Sequence, residues 1–264
     1  MSFLRIIFLP IYDILDRFFK FENVLKKGDT AIQIGIDMDR TTTSDLFHMA
    51  RIVGKTGTII GIEPSPYNIE KINKIKHTYP CKLILVQKAT YSTKEKMTMQ
   101  IGTKAGWSRL DNIPGVRAKE KFTDTRIETE MDTVDNILKE INISPETISH
   151  INITNNGAEY YTLIGMNNVI ERSKNLSIYA IAGRPGELGK VNGEDDFSAI
   201  INLLKDAGMS YKFQRFSKKI WSGLIKTNFI FGLMKGRVNF GEKTPGVVMA
   251  KKGSKTFSIF ESYN

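Results

Sequence analysis

Residues 58–62, Thr-Ile-Ile-Gly-Ile, form a short β-branched run that stops at Glu63 and the rigid Pro64-Ser65-Pro66. A run this short and this apolar suits a strand buried on both faces better than a helix. A second such run, Ala31-Ile32-Gln33-Ile34, ends at Gly35, 28 residues before Glu63. Strand, glycine turn, helix, strand and terminal acid is the order in which open α/β sheets hold a nucleoside, the acid accepting hydrogen bonds from the ribose hydroxyls. That order constrains the chain to an α/β fold with its ligand crevice at the carboxyl ends of the strands.

The rest of the chain continues the alternation. Strands are predicted near 30–34, 58–62, 83–86, 97–101, 148–153, 177–182, 209–213 and 246–250, and helices near 43–53, 66–77, 133–140, 157–172 and 195–207. Such alternation implies a mostly parallel sheet with helices on both faces. A chain of 264 residues with 41% hydrophobic content can bury a substantial core. The segment 102–128 reads as one long polar loop, and a loop of that length is a candidate substrate lid.

Several function classes are excluded or weakened by composition. The lone Cys81 rules out an internal disulfide and fits a reducing compartment. His48, His77 and His150 show no metal-ligand spacing with it, so no metal site is expected. The formal charge of +10 is scattered, and no zinc-finger, arginine-rich or aromatic RNA-binding pattern accompanies it. This argues against nucleic acid and leaves a solvated basic surface, an anionic substrate or an anionic membrane as readings.

Two segments mix large apolar residues with charges. Residues 1–19 are broken by Pro10 and carry Arg5, Asp13, Asp16 and Arg17, too short and too charged to span a bilayer and without a signal-peptide cleavage pattern. Residues 214–237 combine Lys218, Lys219 and Lys226 with Trp221, Phe229 and Phe231. The organisation expected is an N-terminal helical appendage over 1–24 and a domain over 25–264 with an insertion at 214–245. Each apolar-basic segment folds back on the domain, forms a homodimer surface or lies on an anionic membrane. The location expected is cytoplasmic, with or without membrane association.

The stretch Gly57-Thr58-Ile59-Ile60-Gly61-Ile62-Glu63-Pro64-Ser65-Pro66-Tyr67-Asn68 resembles the G-x-V-x-x-x-E-P-x-P-x-N signature of the FkbM-like S-adenosylmethionine-dependent methyltransferases. Leu25–Thr30 resembles the family's lead-in to its first strand, Thr133–Leu138 its T-L-D-D-L-L stretch, and Gly157-Ala158-Glu159 the end of its D-V-E-G-A-E box. The resemblance covers about residues 20–210. It implies a Rossmann-like, doubly wound, class I methyltransferase fold, S-adenosylmethionine as cofactor, and O-methylation of a hydroxyl on a sugar, glycan or other small molecule. The alternative is a degenerate relative serving as a non-catalytic binding or structural subunit.

On that resemblance the cofactor-binding residues are Gly35, Asp37, Asp39, Glu63, Pro64, Ala89 and Thr154. Glu63 would take the ribose hydroxyls and, facing a crevice, would be replaceable without loss of the fold. Gly35 would admit the cofactor's methionine end or simply turn the chain, and Asp37 or Asp39 would meet its ammonium group. Ala89 would border the adenine or merely end a strand. Two departures from the family stand out. Gln33 and Asp39 occupy places where the family has an acid and a second glycine, and Asn152, Thr154 and Asn156 replace Lys, Asp and Glu of the box. No group in that box is a general base near neutral pH, which leaves Glu159, Asp37, Asp39 and His48 as candidates.

Overall fold

The computed structural model describes residues 21–38, 44–103, 108–111, 122–184, 189–215 and 246–253. Asp39, residues 1–19, almost all of 214–245 and parts of 102–128 therefore lie outside the described residues. A seven-stranded sheet runs in the order β12-β13-β9-β8-β1-β2-β3. Its members are β1 (Thr30–Ile34), β2 (Thr58–Ile62), β3 (Lys82–Val86), β8 (Ile148–Ile153), β9 (Ser177–Ala182), β12 (Ser210–Arg215) and β13 (Gly246–Lys251). The first five pair in parallel, and β13 lies antiparallel between β9 and β12. The strand order reverses between β1 and β8, the place where doubly wound sheets open a crevice.

Side-chain alternation explains the two layers. Ile32, Ile34, Ile60 and Ile62 point to one face, under α3 (Val134–Glu140), α4 (Glu159–Ile164), α5 (Asn167–Arg172) and α6 (Asp196–Asp206). Ala31, Ile59 and Leu83 point to the other, under α1 (Asp45–Val53) and α2 (Pro66–Ile75). Phe21, Val24 and Leu25 are buried in that second layer. Burial on both faces is why these strands read as continuous apolar runs.

Local chemistry sets the helix starts. Ser44 caps α1 by accepting from the Phe47 amide, Thr133 caps α3 through the Asn136 amide, and Asp195 caps α6 through the Ser198 amide. The helix expected over 157–172 is two helices. A Cβ on Gly165 would lie 2.2 Å from the Tyr91 carbonyl oxygen, so the chain breaks where that carbonyl crosses. Asp135 of α3 then accepts from the Asn168 and Val169 amides and starts α5 afresh.

The segment 102–128 is not one loop. β5 (Glu95–Gly102), β6 (Arg109–Leu110) and an eleven-residue β7 (Phe122–Asp132) form a second sheet with β4 (Ala89–Thr90), in the order β4-β7-β5-β6. Its buried side holds Met99, Leu110 and Met131 against Ala89 and Ala158. Lys88 fastens it to α3, its Nζ lying 2.6 Å from Glu140 and 3.2 Å from Asp132. A small hairpin, β10 (Lys190–Val191) with β11 (Glu194–Asp195), precedes α6.

Candidate active site

Glu63 ends β2 with its side chain turned inward, only 5% exposed. Its Oε2 accepts from the Ile36 amide at 2.7 Å, and its Oε1 accepts from the Ser65 amide at 2.9 Å and from Asn68 Nδ2 at 3.2 Å. Asn68 Nδ2 also donates to the Ile36 carbonyl at 3.0 Å, so the carboxylate, the chain after β1 and the start of α2 are tied together. Burial pushes the Glu63 carboxyl up to about 7 against the pull of these bonds. A carboxylate offers about four acceptor positions; three are in use, and one on Oε2 is left for a ligand hydroxyl. The expectation that Glu63 could be removed without touching the fold is corrected here: its loss would leave three inward-facing donors unpaired.

Gly35 has φ +73°, and a Cβ there would meet the Thr154 carbonyl oxygen at 2.4 Å. The glycine is thus required by the close approach of β1 to the end of β8. Around it lies a closed set of hydrogen bonds. Asn152 Nδ2 donates to Gln33 Oε1 at 2.7 Å and to Asp45 Oδ2 at 3.0 Å. Gln33 Nε2 donates to the Gly35 carbonyl at 2.7 Å and to Thr154 Oγ1 at 3.2 Å. The Thr154 hydroxyl points at the Gly35 and Ile34 carbonyls, at 2.9 and 3.1 Å. Gln33 and Asn152 are register partners across β1 and β8.

The candidate bases separate clearly. Glu159 is 1% exposed and forms a bidentate pair with the Arg184 guanidinium, Nη1 at 2.8 Å and Nη2 to Oε1, while Oε2 also accepts from the Gly157 amide at 2.8 Å. Arg184 reaches Asp196 as well, at 3.7 Å, so Glu159 is one corner of a buried ion cluster at the ends of β9, α4 and α6. A carboxylate held this way does not serve as a general base. His48 packs edge-on against Phe21, with ring centroids 5.6 Å apart. Asp37 is exposed, close enough to raise the Glu63 carboxyl, and Asp39 lies outside the described residues.

The remaining positions have definite places. Pro64 is half-buried behind Glu63, and Tyr67 is 54% exposed with Lys71 Nζ 4.3 Å from its ring centre. Ala89 is buried in the apolar layer under the second sheet. Asn156 sits at φ 58° and donates from Nδ2 to the Ser108 carbonyl at 2.9 Å, joining the box to β6. Burial pushes the Cys81 thiol up to about 11, which leaves it inert as a nucleophile. Sequence reasoning missed two residues. Asn68 was visible as the last letter of the Glu-Pro-x-Pro-x-Asn element; Arg184 carries no local signal, because its partners are 25 and 12 residues away.

The fit to S-adenosylmethionine differs along the ligand. At the ribose end, Glu63 offers a buried acid with an acceptor position to spare. At the amino-acid end, Gln33, Asn152 and Thr154 are spent on one another and on the Gly35 carbonyl.

Similar folds are found in solved structures. Fibrillarin from Aeropyrum pernix, with natively bound S-adenosyl-L-methionine, is 11% identical with a TM-score of 0.45, over 92% of this chain and 74% of that one. An S-adenosylmethionine-dependent methyltransferase from Aquifex aeolicus is 14% identical with a TM-score of 0.40, over 95% and 93%. CrArsM, an arsenic(III) S-adenosylmethionine methyltransferase from Chlamydomonas reinhardtii, is 8% identical with a TM-score of 0.42, over 90% and 68%. Likenesses this remote bear on neither substrate nor site. No curated protein matches the chain. The methyltransferase FkbM domain model does match, over residues 29–211, from the start of β1 into β12 and more than half of the sequence; the chain belongs to that family.

Proposed function

We propose that the protein binds S-adenosylmethionine and transfers its methyl group to a hydroxyl of a sugar, a glycan or another small molecule. The observation that carries the cofactor half of this reading is Glu63, a buried acid at the carboxyl end of β2 with an acceptor position open beside the β1–β8 switch point. The acceptor class follows from the family. The sulfonium supplies an already activated methyl group, so the chain's own task is to align the acceptor and exclude water. Asn156, held to Ser108, places the β8 loop against the second sheet. Glu159 is committed to Arg184, and Asp37 at the rim is the described candidate that can take a proton.

A second reading, a non-catalytic binding or structural subunit, is favoured by one observation: the polar groups of Gln33, Asn152 and Thr154 satisfy each other. Calorimetric titration with S-adenosylmethionine and S-adenosylhomocysteine, followed by methyl transfer to a panel of glycans and small hydroxyl compounds, separates the two. Binding with transfer to a hydroxyl supports the enzyme. Absence of any binding refutes it and leaves the second reading.

A further inference from the structure

We infer that the crevice selects its ligand by the nucleoside and discriminates only weakly for the amino-acid half, so that 5′-thioadenosines lacking that half bind nearly as well as S-adenosylhomocysteine. This rests on the reading of Glu63 as the ribose acceptor. An α-ammonium group needs open acceptors, and an α-carboxylate needs open donors. The five donor hydrogens of Gln33, Asn152 and Thr154 all have partners within the chain. Asn152 spends two on Gln33 and Asp45, Gln33 spends two on the Gly35 carbonyl and Thr154, and Thr154 spends its one on a β1 carbonyl.

The acceptors are equally committed. A carbonyl has two lone pairs, and the Gly35 oxygen faces Gln33 Nε2 at 2.7 Å and Thr154 Oγ1 at 2.9 Å. The Ile34 oxygen takes the Thr154 amide at 2.9 Å and stands 3.1 Å from its hydroxyl. Asp45, the nearest buried-side acid, holds Asn152. Asp37 is exposed, and an ion pair in water adds only a few-fold to affinity. The tail therefore gains little, because each bond it makes must break one already made. The ribose end has the spare acceptor position.

The test is calorimetry with S-adenosylhomocysteine and 5′-methylthioadenosine, both uncharged at sulfur, so that only the amino-acid half differs. Charge-assisted bonds to an ammonium group are ordinarily worth about ten- to a hundredfold in affinity. The expected ratio here is below about tenfold. Gln33→Glu, which places an acid against the Gly35 carbonyl, is expected to raise that ratio several-fold. Thr154→Ala, which frees one acceptor with little change in volume, is expected to move it the same way. A wild-type ratio of about a hundredfold or more overturns the inference while leaving the cofactor reading intact. A ratio that neither variant moves also overturns it. Failure of both ligands to bind overturns the inference and the cofactor reading together.

Discussion

Glu63 makes protein stability depend on pH in a direction opposite to that of an ordinary surface carboxylate. Burial raises it from 4.5, the value of a solvated glutamate, to about 7 in the folded chain, despite the bonds from Ile36, Ser65 and Asn68. Between those two values the folded state holds a proton that the unfolded state has released. Stability therefore falls as pH rises through this window: the contribution is fully present below 4.5 and gone above about 7. At about 1.4 kcal/mol per pH unit, the gap amounts to about 3 kcal/mol. Asp135 and Asp196 are also raised by burial, so the change must be read against a reference. Glu63→Gln supplies it, being the same size as the protonated acid and unable to ionise. Urea unfolding of the wild type and Glu63→Gln at pH 4, 6 and 8 should show the wild type losing about 3 kcal/mol relative to the variant. A difference that stays flat within about 1 kcal/mol would show that Glu63 is solvated, and the buried-acid description of the site would fall.

Three further outcomes are expected. Gly35→Ala forces a left-handed φ on alanine and drives its Cβ to 2.4 Å from the Thr154 carbonyl, so it should cost at least about 3 kcal/mol in chemical denaturation; a loss below about 1 kcal/mol would contradict the close approach of β1 and β8. Arg184→Met leaves Glu159 and Asp196 buried without their cation and should lower the thermal midpoint by roughly 10 °C, from about 3–5 kcal/mol lost, with part recovered by adding Glu159→Gln; no recovery would mean packing rather than charge was lost. The apolar-basic segments 1–19 and 214–237 are proposed to make a contact outside the core domain, seen as a concentration-dependent dimer in sedimentation or as salt-sensitive flotation with anionic liposomes. A monomer that ignores liposomes at low and high salt would end that proposal.

The central sheet was legible because its strands are short β-branched runs bounded by turn residues. β1, β2, β8 and β9 occupy the residues that their apolar runs mark. β7 was not legible. Phe122–Asp132 is mostly Thr, Arg, Glu and Asp, and its strand character comes from pairing with β5, where Ile127 lies opposite Met99 and Met131 opposite Glu95. The hairpin before α6 did carry a signal, Asn192-Gly193, both with positive φ, as a tight two-residue turn between strands demands. The helix over 157–172 read as continuous because Gly165 costs a helix only about 1 kcal/mol by itself; the crossing Tyr91 carbonyl, invisible in sequence, decides the break.

At the site, Glu63 was legible from its position at a strand end followed by prolines. Its partners were not, since Ile36 donates through the backbone and Asn68 gains its meaning only once α2 is placed. The departures at Gln33 and Asn152 read in sequence as two separate losses of charge. The register of β1 against β8 makes them one event: the two amides face each other 2.7 Å apart, in positions where the family resemblance puts an acid and a lysine. Removing both charges leaves no buried ion unpaired, whereas removing either alone would.

Calorimetric titration of S-adenosylhomocysteine into the wild type and into Glu63→Ala, each confirmed folded at the temperature used, tests the central claim most directly. If Glu63 accepts a ribose hydroxyl, the wild type binds and the variant loses about 2–4 kcal/mol, roughly thirtyfold to a thousandfold in affinity. A wild type that gives no heat of binding, or a folded variant that binds as tightly as the wild type, contradicts it.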